Sequence, residues 1–388
     1  MQSQDEFLSG SQGSKSIWGK LLDIDWLVLI PAILITLAGI FTMGSFVDGN
    51  SYFYKQIVWL IISVGVFFVL SLFDFRFLRR SGIVLGLYII SFITLLVLFL
   101  LGSAHKGAQS WFSIGGFSFQ PADAIKLVLI ILLAKYFSRR HIEIANIKHI
   151  LVSGIYVFII FALVFFQPDF GSALMIFLIW FGMVLVSGIS KKHLLLVFLG
   201  GTLIFGILWL GVFQDYQKKR IVNFLHPLSD VRGAGYSAYQ STIAVGSGET
   251  LGKGLGYGTQ SKLNFLPEYH TDFVFAAFAE EWGFFGVLLL FGAFFLLLAR
   301  ILINSFTGAS NFEILFGLGL VILFTSHFLI NAGMNIGLMP VTGVTFPFMS
   351  YGGTHLLASY GGLGMLMAMR RYRKTAHSSQ MKNEFLGL

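Results

Sequence analysis

Few side chains in this sequence could do acid–base chemistry, and one group of them precedes a long apolar run. Asp272 follows Glu268 and His270 within the same short stretch, and the apolar run begins directly after it. An ionisable group in apolar surroundings is costly, which makes it a functional candidate. A carboxylate held near other acids can act as a general base. The alternative is that Asp272 or Thr271 caps the following helix.

Two further groups of charged residues lie within apolar segments. Glu280 and Glu281 are adjacent in the run that follows Asp272. Two neighbouring acids there are expensive, so we expect a structural ion pair or packing hydrogen bond. Asp123 and Lys126 are three residues apart and can form an ion pair on one helix face. The functional alternative is that Lys126 offers positive charge to a phosphate group.

Two polar segments join apolar runs. Gln167, Pro168 and Asp169 occupy a short connection, which as a turn needs no further explanation. Lys218, Lys219 and Arg220 form a basic triplet. The triplet would suit an anionic, phosphate-bearing ligand, and a lipid-headgroup anchor is the alternative. The glycine-rich run 246–259 lacks the spacing of a Walker A loop and predicts an irregular loop packed over a cavity.

The amino-acid composition indicates the class of protein that contains these charged residues. Hydrophobic residues make up 56% of the 388 residues and charged residues 11%, and mean hydropathy is +0.81. Soluble proteins carry about 25% charged residues, so the chain must use lipid as its solvent. Its long continuous apolar runs predict an all-α polytopic membrane protein with about ten transmembrane helices. The net charge of +8 then indicates basic loop anchors and not a nucleic-acid partner.

The predicted spans and their loops define an orientation. With the N-terminus inside, 17 of the 26 basic residues fall in inside loops and 8 in outside loops, which predicts that both termini are cytoplasmic. Six of the seven prolines lie in or beside outside loops, which predicts a cavity at the outer side. The ten predicted spans are 26–45, 54–73, 83–101, 122–137, 150–166, 171–188, 193–213, 271–300, 312–331 and 345–369.

The domain organisation follows from the same pattern. We predict a disordered cytoplasmic tail over residues 1–24 and a transmembrane domain over 25–372. Residues 214–270 form one long extracytoplasmic loop, and 373–388 form a second cytoplasmic tail. Cysteine is absent and the nine histidines show no metal-ligand spacing, so the sequence predicts no disulfide and no protein-held metal site.

Several long motifs of the chain resemble those of the SEDS family (shape, elongation, division and sporulation). The similarity runs from about residue 25 to 372. The motifs resemble those of the family's elongation branch more than those of its division branch. The motifs are Gln120-Pro121, Gln167-Pro168-Asp169, Gly246-Ser247-Gly248, Gly252-Lys253-Gly254, Gly258-Thr259-Gln260-Ser261, Asn264-Phe265-Leu266-Pro267-Glu268, His270-Thr271-Asp272-Phe273, Ala279-Glu280-Glu281, the run 335–343 and Pro347-Phe348-Met349-Ser350-Tyr351-Gly352-Gly353.

The resemblance implies an activity. SEDS proteins are peptidoglycan glycosyltransferases that polymerise lipid II at the outer face of the cytoplasmic membrane. They act beside a class B penicillin-binding protein, a transpeptidase, and other cell-elongation membrane proteins. The family's essential acid corresponds to Asp272, and its charged pair in the fourth span corresponds to Asp123 and Lys126. Glu268, His270, Gln167, Asp169, Ser350 and the triplet 218–220 complete the set of expected substrate contacts.

Two departures from the family pattern affect these expectations. Ala122-Asp123 stands where the family usually has Ser-Glu, so the charge sits on a shorter side chain. The stretch 107–111 lacks the arginine that many members carry there. A divalent cation, Mg²⁺ or Mn²⁺, could share the neutralisation of the diphosphate, although no ligand cluster for it is visible. A lipid II flippase and a non-catalytic scaffold for the penicillin-binding protein remain alternatives to the enzyme.

Overall fold

The structure, a computed structural model, describes most of the chain. It covers residues 23–45, 49–105, 108–114, 117–138, 147–211, 213–227, 230, 233, 235–263 and 265–386. The predicted tail 1–24 lies almost wholly outside the described residues. The helices are α1 (Trp26–Gly44), α2 (Gly49–Leu72), α3 (Ser81–Leu101), α4 (Pro121–Ser138), α5 (Ile147–Phe166), α6 (Phe170–Val186), α7 (Lys191–Gly211), α8 (Asp215–Leu225), α9 (Tyr236–Ser247), α10 (Thr259–Lys262), α11 (Val274–Phe306), α12 (Asn311–Asn335) and α13 (Gly353–Leu386).

Seven helices within the described residues are long and apolar enough to cross a membrane, which confirms a multi-pass membrane protein. They are α1, α2, α3, α5, α7, α11 and α12. The predicted spans 122–137, 171–188 and 345–369 correspond to α4, α6 and α13. Helix α4 carries charged residues, and α6 has only 17 residues. The tenth span was predicted to start at 345, but residues 345–352 are not helical and α13 begins at Gly353.

The long loop and its surroundings contain more regular structure than the sequence predicts. The predicted loop 214–270 includes α8, α9 and the short α10. A small antiparallel sheet follows α3, with strand order β1 (Ser103–His105), β2 (Ala108–Ile114) and β3 (Phe117–Phe119). Strands of this kind are far shorter than a membrane span, so a search for spans passes over them.

Helix α12 lies at the centre of the bundle. It packs against α4, α6 and α11, while α11 also packs along α1, and α13 along α2. At one end of the bundle Arg300 Nε donates to Asp25 Oδ2 at 3.1 Å, and Arg79 Nε donates to Glu313 Oε1 at 2.9 Å. We call this the Asp25 end. The opposite end, where α12 ends at Asn335, lies beside Asp272.

The eighth predicted span, 271–300, is not one straight helix. Gly283 has φ 65° and ψ −166°, which divides α11 into arms of residues 274–282 and 284–306. The rings of Phe275 and Phe291 stack with centroids 5.6 Å apart, whereas a continuous helix would separate these positions by about 24 Å. The two arms therefore fold back on each other as a hairpin with Gly283 at its tip.

The glycine-rich segment fills the break in this hairpin. Residues 248–262, which we call the strap, supply backbone donors and acceptors to the groups that the break frees. Residues 248–258 are irregular, as the sequence predicts, and their backbone groups bond to those that the break leaves free; a cavity beneath them stays a prediction. The bonds are Lys253 N–H to Glu280 O (3.0 Å), Gly254 N–H to Glu281 O (3.0 Å), Phe284 N–H to Glu249 O (2.9 Å) and Phe285 N–H to Thr250 O (3.2 Å).

Candidate active site

Asp272 lies in the turn between the strap and the first arm of α11. The N-cap of α11 is Phe273, so neither Thr271 nor Asp272 occupies the capping position that was their alternative role. The hydroxyl of Thr271 donates to Glu268 Oε2 at 3.3 Å. The Asp272 carboxyl is half-buried.

The backbone that carries Asp272 is held at three consecutive carbonyls. Tyr351 N–H donates to the carbonyl of His270 at 2.8 Å. The hydroxyl of Ser350 donates to the carbonyl of Thr271 at 2.6 Å. Asn331 and Asn335 both donate from their side-chain amides to the carbonyl of Asp272, at 2.9 and 3.1 Å. Residues from two separate parts of the chain, helix α12 and the connection that follows it, thus fix this turn, and the Asp272 backbone has little freedom to shift.

The carboxylate of Asp272 faces a glycine in the connection between α12 and α13. A Cβ atom built on Gly343 would stand 3.6 Å from Asp272 Oδ2, and Gly343 has φ 76°. A Cβ on Gly171, at the start of α6, would stand 2.7 Å from the carbonyl of Thr342. Glycines at both places let the connection pass between α6 and the Asp272 turn.

Aromatic rings line the same turn. The His270 ring stacks on Tyr52 of α2 with centroids 4.1 Å apart, and Tyr351 meets Tyr52 edge-on at 5.0 Å. Burial, and then the neighbouring Tyr52 phenol, raise the pKa of Tyr351 above its usual value. Tyr351 therefore remains a neutral phenol. Tyr52 was not among the residues singled out from the sequence, because an aromatic residue at a helix start is common in membrane proteins.

Glu268 shapes the turn through its backbone. It adopts φ 50°, a conformation that costs energy for a residue with a side chain. Its carbonyl accepts from Thr271 N–H at 3.1 Å and from Phe273 N–H at 3.2 Å. The strained residue thus closes the turn immediately before Asp272.

A second polar cluster is buried at the start of α4. Lys126 Nζ donates to Asp123 Oδ1 at 3.0 Å, so the ion pair expected from their spacing is confirmed. Thr354 Oγ1 donates to Asp123 Oδ2 at 3.2 Å, and His355 Nδ1 lies 3.6 Å from Asp123 Oδ1. All four side chains are buried. The shorter aspartate is thus supported from α13 as well as by Lys126.

A row of polar side chains on α12 runs between the two clusters. His327, Asn331 and Asn335 recur at every fourth residue, so they share one helix face. The His327 ring lies 4.9 Å from that of His355, and its Nδ1–H donates to the carbonyl of Thr345 at 3.1 Å. Asn331 and Asn335 hold the backbone of Asp272, and sequence reasoning missed both. Their four-residue spacing within an apolar helix was the signal that could have found them.

The remaining candidates are held by structural contacts. Gln167 Nε2 donates to the carbonyl of Leu95 at 2.8 Å. Asp169 caps α6 by accepting from Ser172 N–H at 3.0 Å, and it also accepts from Gln120 Nε2 at 2.9 Å. Substrate contacts by Gln167 and Asp169 stay predictions. So do those by Lys218, Lys219 and Arg220, which lie on the separate helix α8.

Glu280 and Glu281 differ in their partners. Glu280 forms an ion pair with Lys253 of the strap, with Nζ 2.8 Å from Oε1. Glu281 instead accepts hydrogen bonds from the Ser45 hydroxyl and from Gly256 N–H. The structural pairing expected of the two acids is therefore found for both, because Glu280 forms an ion pair and Glu281 accepts a packing hydrogen bond from Ser45.

Within the described residues, no group of three or more His, Asp or Glu side chains is arranged to hold a metal ion. A role for a divalent cation stays a prediction.

The chain is similar to known proteins over nearly its whole length. The family model described as cell cycle protein, which covers FtsW, RodA and SpoVE, matches residues 20–375. The peptidoglycan glycosyltransferase MrdB of Escherichia coli is 32% identical over 373 residues, covering 96% of this chain and 100% of MrdB.

Two solved structures share the fold. A chain of a peptidoglycan synthase complex that coordinates polymerization and crosslinking matches with a TM-score of 0.78 and 30% identity, covering 90% of this chain and 98% of that one. The rod shape determining protein RodA of Thermus thermophilus matches with a TM-score of 0.68 and 28% identity, covering 90% and 97%. With the family model and MrdB, these matches agree with the fold described above. The chain belongs to the SEDS family of peptidoglycan glycosyltransferases.

Proposed function

We propose that this protein polymerises lipid II, with Asp272 as the general base. Asp272 takes the proton from the 4-hydroxyl of the acceptor's GlcNAc. The freed oxygen attacks the anomeric carbon of the growing chain's terminal MurNAc. The bond from that carbon to the diphosphate breaks, its electron pair leaves with undecaprenyl pyrophosphate, and the configuration inverts from α to β. The carboxyl group holds the proton until solvent removes it.

The fixed backbone of Asp272 carries this proposal. A general base must be held within reach of the hydroxyl that it deprotonates. Three consecutive carbonyls, of residues 270, 271 and 272, accept hydrogen bonds from other parts of the chain. A half-buried acid on so firmly held a turn is what a positioned base requires.

Lys126 is the proposed partner of the leaving group. Its ammonium is buried and has hydrogens beyond the one that meets Asp123. A positive charge in apolar surroundings stabilises charge that develops on a diphosphate more strongly than it would in water. The hydrogen bond from Thr354 keeps the Asp123 carboxylate partnered when Lys126 turns toward substrate, and His355 lies 3.6 Å from it.

We also propose the setting of this reaction. Basic residues gather at the Asp25 end, where Arg79, Arg300 and Arg370 contact buried acids, and this favours a cytoplasmic Asp25 end. Asp272 then meets the outer leaflet, where lipid II is presented. The similarity to RodA supports a role in elongation, and the match to a synthase complex supports a class B penicillin-binding protein as partner.

The test is polymerisation of purified lipid II by the purified protein, alone and with its partner. Asp272→Asn keeps the size of the side chain and removes the base, so we expect glycan synthesis to fall by at least about 100-fold. Asp74→Asn, at an exposed aspartate of the Asp25 end, is the control and should stay active. Near-normal synthesis by Asp272→Asn would show that the base is elsewhere. Transfer of labelled lipid II across vesicles without polymer would favour the flippase.

A further inference from the structure

Glu280 is fully buried, yet it accepts an unusual number of hydrogen bonds from the strap. A buried carboxylate is tolerated only when its oxygens are satisfied, because transfer of a charge from water is costly. Four donors come from three strap residues. They are Lys253 Nζ (2.8 Å), Thr259 N–H (2.8 Å), Thr259 Oγ1 (3.0 Å) and Gln260 N–H (3.1 Å), all to Oε1.

These bonds close a loop of the chain around Asp272. Gln260 and Glu280 are 20 residues apart in sequence, and Asp272 lies between them. One end of the loop is the start of the strap's short helix α10, and the other is the first arm of α11. Glu280 therefore connects the two segments of the chain that lead into and out of the Asp272 turn.

The strap and the arm touch closely enough for the closure to be specific. A Cβ atom on Gly258 would stand 3.0 Å from Glu280 Oε2, and one on Gly248 would stand 2.0 Å from the carbonyl of Ala279. The neighbouring acid, Glu281, accepts from Gly256 N–H and from Ser45, which directly follows α1. The hydrogen bonds to Thr259 and Gln260 are thus made by Glu280, whereas Glu281 connects the tip of the hairpin to the end of α1.

We propose that Glu280 is a positioning residue for Asp272. It clasps residues 259–260 to the first arm of α11 and so sets the register of the turn between them. The inference rests on the proposed function, because it assigns Glu280 a role only if Asp272 is the base. Glu280 itself touches no substrate.

The expected kinetic signature follows from where the clasp acts. Loss of the clasp lets the ends of the loop separate, while the carbonyl bonds at residues 270–272 still hold the turn near its place. The Asp272 carboxylate then lies slightly out of place for taking the proton from the acceptor hydroxyl, which lowers the rate by about 10- to 100-fold. Substrate binding through Lys126 and other groups is largely kept, so kcat should fall with KM changed by less than about threefold.

The matched variants are Glu280→Gln and Glu313→Gln. Each neutralises a buried glutamate that pairs with a basic side chain, Lys253 in one case and Arg79 in the other. Glu313 lies at the Asp25 end, away from the loop. The melting temperature should fall for both variants. Only Glu280→Gln should lose kcat in the lipid II polymerisation assay, and Glu281→Gln should lose clearly less.

A double-mutant cycle makes the assignment sharper. Lys253→Met removes one donor and leaves the acid in place, so kcat should fall less than in Glu280→Gln. The double variant should lose no more kcat than Glu280→Gln alone, because both residues act through one clasp. If Glu280→Gln cannot be purified in a folded state, Lys253→Met alone tests the proposal. An unchanged kcat in Lys253→Met then overturns it.

The outcomes separate this inference from the function on which it rests. Asp272→Asn with near-normal activity overturns the proposed base and the clasp together. Inactive Asp272→Asn with unchanged kcat in Glu280→Gln overturns only the clasp. Equal loss of kcat in Glu280→Gln and Glu313→Gln also overturns it, because general destabilisation then explains the effect.

Discussion

The side-chain amide of Asn331 donates a hydrogen bond to the backbone carbonyl of Asp272 at 2.9 Å. The same nitrogen donates to the carbonyl of Val344 at 2.7 Å. One asparagine of the central helix α12 therefore joins the turn that carries the proposed base to the connection that leads into α13. The position of the proposed base therefore depends on Asn331, which takes no part in the proton transfer itself.

Replacing this amide donor should impair both stability and catalysis. Asn331→Asp keeps the shape of the side chain but removes both donated hydrogen bonds. We expect the free energy of unfolding to fall by about 1–3 kcal/mol and kcat to fall by about tenfold. Asn311→Asp, at the exposed start of the same helix, is the control and should match the parent protein. Thermal unfolding and lipid II polymerisation measure the two effects, and a fully active Asn331→Asp would contradict this account.

The buried pair of Asp123 and Lys126 should show strong coupling. Lys126→Met leaves the Asp123 carboxylate buried without its cation, which costs about 3–5 kcal/mol. Adding Asp123→Asn removes the unpaired charge, so the double variant should be more stable than Lys126→Met alone. Polymerisation should remain low in both, because neither offers a cation to the diphosphate. Restored activity in the double variant would assign the pair a purely structural role.

The hairpin tip of α11 should tolerate no side chain. Gly283 has φ 65°, and a Cβ there would stand 2.2 Å from the backbone nitrogen of Gly252. Gly283→Ala should therefore lower the free energy of unfolding by about 1–3 kcal/mol. Gly292→Ala is the matched control, because nothing lies within 4 Å of a Cβ at that position. Thermal unfolding compares the two, and equal melting temperatures would argue against a break at Gly283.

The Asp25 end should give the protein an acid-sensitive component of stability. Burial alone raises the pKa of Asp25, but hydrogen bonds from Asn304 and Arg300 and the nearby arginine charges outweigh it and hold that pKa below its usual value. A lowered pKa stabilises the folded state above the unfolded pKa of about 3.9, and this contribution is lost as pH falls through the folded value.

The measurement for this component is thermal unfolding across pH, with Asp25→Asn as the comparison. At neutral pH the variant should melt at a lower temperature than the parent protein. The gap should narrow as the pH falls below about 4. A gap that stays constant with pH would mean that the carboxylate charge of Asp25 does not contribute.

The sequence by itself was sufficient for the class of protein, the positions of most spans and the pair Asp123–Lys126. Long apolar runs and three-residue spacing depend on local chain geometry, which composition and periodicity report directly. The motif around Asp272 also singled out the acid, because a carboxylate beside an apolar run is conspicuous in any membrane protein.

Only the tertiary structure decided how that acid is held. The break at Gly283 lies within a run that is apolar on both sides. Hydropathy therefore predicted one long span, 271–300, with a tilt, a kink or partial exposure as its alternatives, and did not locate the break. The closure between Thr259 and Glu280, and the bond from Asn331 to Asp272, join residues far apart in sequence. Such contacts depend on how helices pack, and packing is a property of the whole chain that no local pattern contains.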